Sequence, residues 1–298
     1  MTRSVRSFAS LALIFALAVP LTVAAQEEGS FDSDGVDIAY TDMGGDGEPV
    51  VLLHSFLSSS DMWTNAGFEP SEDFRYIALD LRGHGDSGKP EDPDAYGLEM
   101  AEDVVRLMDH LGIEDAHVVG YSVGAEIALR LAAEHPERLR SLVVAGSGWS
   151  DPAKEGEVYS GVAMGLAASP TIRDLVLAGM PEDIPQEQLD FLFGSMEAHG
   201  VDLDYDGTAG LAGVAGSMGE ILGLTEEDLA VIDVPVLGVV SENDSERPNI
   251  ERMEGVVPDF ELVLIPAGPT GEPDLDHLGA VLDPTFESSI VEFLSEQA

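Results

Sequence analysis

A chain of 298 residues that sets 57 acidic side chains against 13 basic ones carries a formal charge of −44, and it has no cysteine. Such a surface repels nucleic acid and anionic lipid, and the absence of thiols excludes disulfides, a cysteine nucleophile and zinc–thiolate sites. The length is enough for one large α/β domain or for such a domain carrying an insertion.

The first 25 residues stand apart. Arg3 and Arg6 precede an apolar run, 11–23, and Val23-Ala24-Ala25 puts small residues just before Gln26, which is the pattern of a secretory signal peptide. The run falls short of the ~20 apolar residues a membrane span needs and is broken by Pro20. It therefore predicts a periplasmic or secreted protein that leaves the membrane once the signal is removed. The acidic excess suits a well-hydrated surface and, more sharply, a saline setting in which counterions screen self-repulsion.

After the signal, residues 26–35 are polar and read as a loose lead. Strands are expected at 36–40 and 50–53, separated by the glycine-rich turn 44–47, and the second ends at His54-Ser55-Phe56. Ser58 to Trp63 reads as a loop feeding a short helix. Another strand, 75–79, leads into the loop Asp80-Leu81-Arg82-Gly83-His84-Gly85-Asp86-Ser87. Met100, Val104, Leu107, Met108 and Leu111 keep helical spacing until Gly112 stops them. Further strands are expected at 141–145, 235–240 and 261–265, with helix period returning at 288–294. Residues 152–230 differ in texture, with weak helical patterns at 172–178, 186–198 and 209–222, four methionines, many glycines and no convincing strand. They read as an α-helical insertion between a first core part, 26–151, and a second, 231–298. Alternating strands and helices predict a mainly parallel sheet covered on both faces, with ligands bound above the strands' C-terminal ends.

The chemistry gathers at Gly120-Tyr121-Ser122-Val123-Gly124. An apolar strand enters this stretch, and Glu126, Ile127, Ala128, Leu129, Leu131 and Ala132 leave it as a helix. Glycine is needed because the turn is tight, while the serine sits strained at its tip and at a helix N-terminus, whose positive dipole end favours a developing oxyanion. A serine hydroxyl needs a base, ordinarily a histidine oriented by a carboxylate. Of seven histidines, His110, His117, His135 and His199 read as structural or exposed, and His54 and His84 as floor residues behind strands. His277 follows the last strand, after the loop 266–276 and before the final helix. The carboxylate is expected at a strand end between Ser122 and His277, and Asp244 is the choice there, with Glu242 as a substitute.

These residues together resemble the α/β-hydrolase superfamily, over nearly all of 36–296. The resemblance rests on His54-Ser55-Phe56, on 80–87, on the elbow, on Val234-Pro235-Val236-Leu237 before Asp244, and on His277, in the order nucleophile, acid, histidine. It implies a core sheet with a helical cap and an oxyanion hole built from the N–H groups of Phe56 and Val123. It also implies ester cleavage by Ser122, Asp244 and His277 through an acyl-enzyme, with a small-molecule ester as partner and no cofactor. Ser55, Tyr121 and Trp149 are the candidate substrate contacts; Trp63 and Trp149 follow strand ends and are placed either to border the pocket or to pack the core. The sequence departs from the family where Ser55, Ser241 and Asp276 stand in place of glycine. Carbon–carbon bond hydrolysis, cofactor-free peroxidase-like chemistry and a non-catalytic binding role use the same scaffold. Met164, Met180, Met196, Met218, Phe191 and Phe193 are candidates either to line an acyl pocket or to pack the insertion. Asp202 to Gly207 opens like an EF-hand loop, but its twelfth position is Gly213 rather than glutamate, so no calcium site is expected.

Overall fold

The structure, a computed structural model, describes residues 26–181, 183–267 and 273–298. The predicted signal peptide lies outside them. Eight strands form one sheet: β1 Glu27–Ser33, β2 Val36–Gly44, β3 Glu48–Leu53, β4 Phe74–Leu79, β5 Ala116–Tyr121, β6 Leu139–Ala145, β7 Val236–Ser241 and β8 Phe260–Ile265. Their spatial order is β1-β2-β4-β3-β5-β6-β7-β8. β2 runs antiparallel to both its neighbours, and every later pairing is parallel. β5 and β7 are buried along their whole length, as parallel strands covered on both faces must be.

Pleating divides the apolar residues between two cores. Val51, Leu53, Val118 and Val144 face a cluster that includes Val104, Leu107, Ile127 and Leu131, whereas Val50, Leu52, Val119 and Val143 face one that includes Trp63, Phe286, Ile290 and Leu294. The helices that supply these residues are α1 Asp61–Asn65, α2 Glu99–Leu111 and α3 Val123–Glu134 in the first half of the chain. Between β6 and β7 come α4 Pro152–Ala168, α5 Ile172–Gly179, α6 Gln186–Ala198, α7 Thr208–Ile221 and α8 Glu226–Leu229; after β7 come α9 Arg247–Glu251, α10 Pro273–Ala280 and α11 Pro284–Gln297.

The stretch α4–α8 is the helical cap. It has its own apolar cluster of Leu166, Ile172, Met196, Val201, Leu203, Leu211 and Ala215, against which Phe56, Leu57 and Leu278 pack from the core. α7 also sends Val214, Met218 and Ile221 into the main core. The Arg130 guanidinium donates from α3 to the carbonyls of Glu220 and Ile221 at the C-terminal end of α7, where a cation also meets the negative end of the dipole.

Two expectations need correction, those for the polar lead and for His277, and two points left open, Trp63 and residues 152–168, are decided. The polar lead is strand β1, because Phe31 and Ser33 alternate inward and Asp34-Gly35, both at positive φ, close a two-residue hairpin to β2. Trp63 does not border a pocket: it is buried in the core, edge-on to Phe68 and stacked on Phe286. Residues 152–168 form α4, a helix whose mostly exposed surface leaves little apolar period to read. His277 sits inside α10, which opens at Pro273, a residue suited to the first helical turn.

Candidate active site

The elbow is built by close backbone contact. Ser122 has φ 55° and ψ −119°, a conformation that costs a non-glycine residue about 1–3 kcal/mol. A Cβ on Gly120 would lie 2.2 Å from the Gly124 carbonyl oxygen, and one on Gly124 would lie 2.1 Å from that of Leu53 and 2.6 Å from that of His54. The second glycine thus lets the start of α3 press on the end of β3, which brings the His54-Ser55-Phe56 loop beside the serine. Val123 opens α3, so its N–H belongs to the turn that has no intrahelical acceptor.

His277 Nε2 lies 3.2 Å from Ser122 Oγ, and His277 Nδ1 lies 2.8 Å from Asp244 Oδ2. A carboxylate accepts, so Nδ1 carries the proton and Nε2 keeps a lone pair facing the serine hydroxyl. The Asp244 side chain is wholly buried and its other oxygen accepts from the Glu246 N–H at 2.9 Å. Both carboxylate oxygens are therefore held. Asp276, next to the histidine, is buried as well.

The loop after β3 is rigid for identifiable reasons. His54 Nε2 accepts from the Leu81 N–H at 2.9 Å, and its Nδ1–H donates to the Ser55 carbonyl at 2.7 Å. Burial pushes the pKa of His54 down and that of His84 well below the ordinary histidine value, so both rings are neutral. They meet edge-on beneath Phe56, where a floor was expected. Leu57 follows at φ 66°, and the Ser55 carbonyl also receives the Ser58 N–H. Two of the three non-glycine residues at positive φ among the described residues, Leu57 and Ser122, thus flank the same spot.

One turn beyond the serine, buried Glu126 receives the Ser147 hydroxyl at 2.8 Å, and the hydroxyls of Tyr159 and Ser150 lie at 3.3 and 3.5 Å. Burial, reinforced by Glu246 and Glu155, pushes its pKa up to about 8. Tyr159 comes from α4 and its ring meets Phe56 edge-on, so the cap and the loop after β3 touch here.

The three candidate substrate contacts are placed otherwise than expected. Ser55 is 3% exposed and its hydroxyl is bound to His199. Tyr121 is buried between the rings of His199, His277 and Phe286, and its hydroxyl donates to the His277 carbonyl, so it backs the histidine instead of facing a substrate. Trp149 donates Nε1–H to the Leu224 carbonyl at 3.0 Å, and the Arg252 guanidinium lies over its ring, 4.0 Å from the ring centroid. His199, read as structural or exposed, is buried and bonded to Ser55 and to the Leu278 carbonyl; these partners are distant in sequence and no local pattern announces them.

The methionines and phenylalanines of the insertion divide. Met218 and Met196 are buried, Met164 is exposed, and Phe191 borders a cavity of about 590 Å³ between α6 and α10, behind the histidine. Asp204 of the EF-hand-like stretch pairs with Arg173, and Gly213 lies within α7. Among the described residues one group has the spacing to hold a metal ion, Glu102, Glu134 and His135, whose His135 Nε2 already hydrogen-bonds Glu102 at 2.8 Å.

Comparison with known proteins agrees with this architecture. A family profile described as the alpha/beta hydrolase fold matches residues 48–168, from β3 through α4. The dihydrolipoyllysine-residue acetyltransferase component of the acetoin cleaving system of Cupriavidus necator is 37% identical over 146 residues, 48% of this chain and 37% of that protein. The putative carbamate hydrolase RutD of Caulobacter segnis is 42% identical over 108 residues, 36% of this chain and 40% of its own. The chain thus spans well under half the length of each. A hydrolase from Pseudomonas aeruginosa superposes with a TM-score of 0.71 at 26% identity, covering 91% of this chain and 99% of that one. The chain has the α/β-hydrolase fold.

Proposed function

We propose that this protein is an exported serine hydrolase that cleaves carboxylic esters, with Ser122 as nucleophile, His277 as general base and then acid, and Asp244 as orienting carboxylate. The observation that carries the reading is the unbroken chain Ser122 Oγ, His277 Nε2, His277 Nδ1, Asp244 Oδ2, at 3.2 and 2.8 Å, beneath a strained serine at a helix N-terminus. In the reaction, His277 takes the Ser122 proton as Oγ attacks the ester carbonyl. The N–H groups of Val123 and Phe56 hold the oxyanion, each worth on the order of 10² to 10³ in rate. His277 then protonates the departing alcohol and activates water against the acyl-enzyme. Asp244 keeps the imidazole in the tautomer that this needs. Where the cap meets the oxyanion loop, Phe56, Leu57 and Tyr159 offer an apolar wall, which suits a small or medium acyl group.

The test is turnover of p-nitrophenyl esters of increasing acyl length, beside a p-nitrophenyl carbamate and a vinylogous 1,5-diketone. Ester turnover falling off beyond medium chain length supports the reading. Turnover of the carbamate or the diketone alone overturns ester specificity. Export is tested on protein recovered from the periplasm or medium of an expressing host, where the N-terminus should be Gln26. A chain retaining residues 1–25 there contradicts it.

A further inference from the structure

Three segments meet at one cap side chain. His199 closes α6 and is 1% exposed. Its Nδ1 lies 3.1 Å from the Leu278 carbonyl, one residue past the base, and its Nε2 lies 2.7 Å from Ser55 Oγ, one residue before the oxyanion donor Phe56. A carbonyl only accepts, so the proton sits on Nδ1, and Nε2 must then accept the Ser55 hydroxyl hydrogen. The His199 main chain holds the same loop a second time, its carbonyl accepting from Ser58 Oγ at 3.0 Å. Between these two anchors lies Leu57, at φ 66°. A left-handed leucine persists only where its surroundings over-determine it. The ring of His199 also rests against Tyr121, whose hydroxyl binds the His277 carbonyl.

We infer that His199 is a positioning residue: it clamps the strained oxyanion loop through Ser55 and Ser58 and ties that loop to the His277 segment, so that the cap sets the distance between base and oxyanion hole. This deepens the esterase reading and rests on it. It also accounts for serine at position 55, where a glycine would leave Nε2 a buried acceptor with no donor from that loop. Burial and the neighbouring His277 push the His199 pKa down to about 3, so the ring stays neutral and the clamp holds throughout the range in which His277 works.

Two shortened or shifted amides separate the two bonds. In His199→Asn the amide nitrogen takes the place of Nδ1 and keeps the Leu278 bond, but the side chain is too short for Ser55. In His199→Gln the amide oxygen takes the place of Nε2 and keeps the Ser55 bond. His199→Asn should lower kcat on the order of 10²-fold with KM changed less than threefold, and His199→Gln should recover most of that. In a Ser55→Ala background His199→Asn should add little, because the same bond is already gone. The pKa of the kcat profile should stay that of wild type in every variant. Amide hydrogen exchange at Phe56 and Leu57, read on the folded proteins, should accelerate in His199→Asn and Ser55→Ala but not in His199→Gln. Wild-type exchange in His199→Asn, or losses that simply multiply in the double variant, would overturn the clamp. If the wild type turns over no ester, the esterase reading fails, and exchange at Phe56 and Leu57 still decides whether His199 holds the loop.

Discussion

Single side chains here are defined by what touches them. Glu126 is the plainest case, a carboxyl buried against hydroxyls of Ser147, Ser150 and Tyr159, with Glu155 and Glu246 as its charged neighbours. Its folded pKa of about 8 lies above the ordinary value of 4.5, so the native chain keeps a proton that the unfolded chain releases. Its contribution to stability is therefore intact below about pH 4.5 and is lost as pH rises to about 8. Glu126→Gln should melt near wild type at pH 4.5 and progressively above it between pH 5 and 8; a difference independent of pH contradicts this assignment. That Ser122, His277 and Asp244 come together was legible in the sequence, because the elbow pattern and the order of strand ends place them. Ser55, Tyr121 and Trp149 were not, since each spends its polar group on a partner more than 70 residues away: His199, the His277 carbonyl and the Leu224 carbonyl respectively.

Elements hold the site through a few buried polar links. The Asp80 carboxylate, just past β4, accepts from the N–H groups of Ser60 at 2.7 Å and Asp86 at 2.9 Å, joining the loop that follows His54-Ser55-Phe56 to the one behind β4. Arg82 in that second loop makes a two-pronged bond to Asp103 of α2 at 2.9 and 2.6 Å, both side chains almost fully buried, and Ser33 of β1 donates to the same carboxylate. Removing one partner of such a pair leaves a buried charge. Asp103→Ala should therefore cost about 3–5 kcal/mol in urea unfolding, and a loss below about 1 kcal/mol would show that the pair is not load-sharing between β1, β4 and α2. The insertion's helices at 172–178, 186–198 and 209–222 follow their apolar spacing closely. α4 escaped because only Glu155 and Leu166 of its residues are buried, and β1 because an edge strand needs few apolar residues once its partner supplies the ladder.

The whole molecule combines a mainly parallel sheet, readable from the alternation of strands and helices though its strand order was not, with a surface charge that has no bearing on the fold. A formal charge of −44 on 298 residues is self-repulsive, and screening lowers that repulsion within a Debye length of about 10 Å at 0.1 M salt. Raising sodium chloride from 0.05 to roughly 1 M should lift the melting temperature by several degrees; an unchanged or lower value would contradict the view that repulsion limits stability. The central claim concerns Ser122, and a fluorophosphonate tests it directly because it phosphonylates only an activated serine. Mature protein, Ser122→Ala and His277→Ala are incubated with the reagent, and the modified peptide is identified by mass spectrometry. The account predicts one label on Ser122 in the wild type, none in Ser122→Ala, and labelling slowed on the order of 10⁴-fold or more in His277→Ala. An unlabelled wild type, or equal labelling without His277, would contradict it.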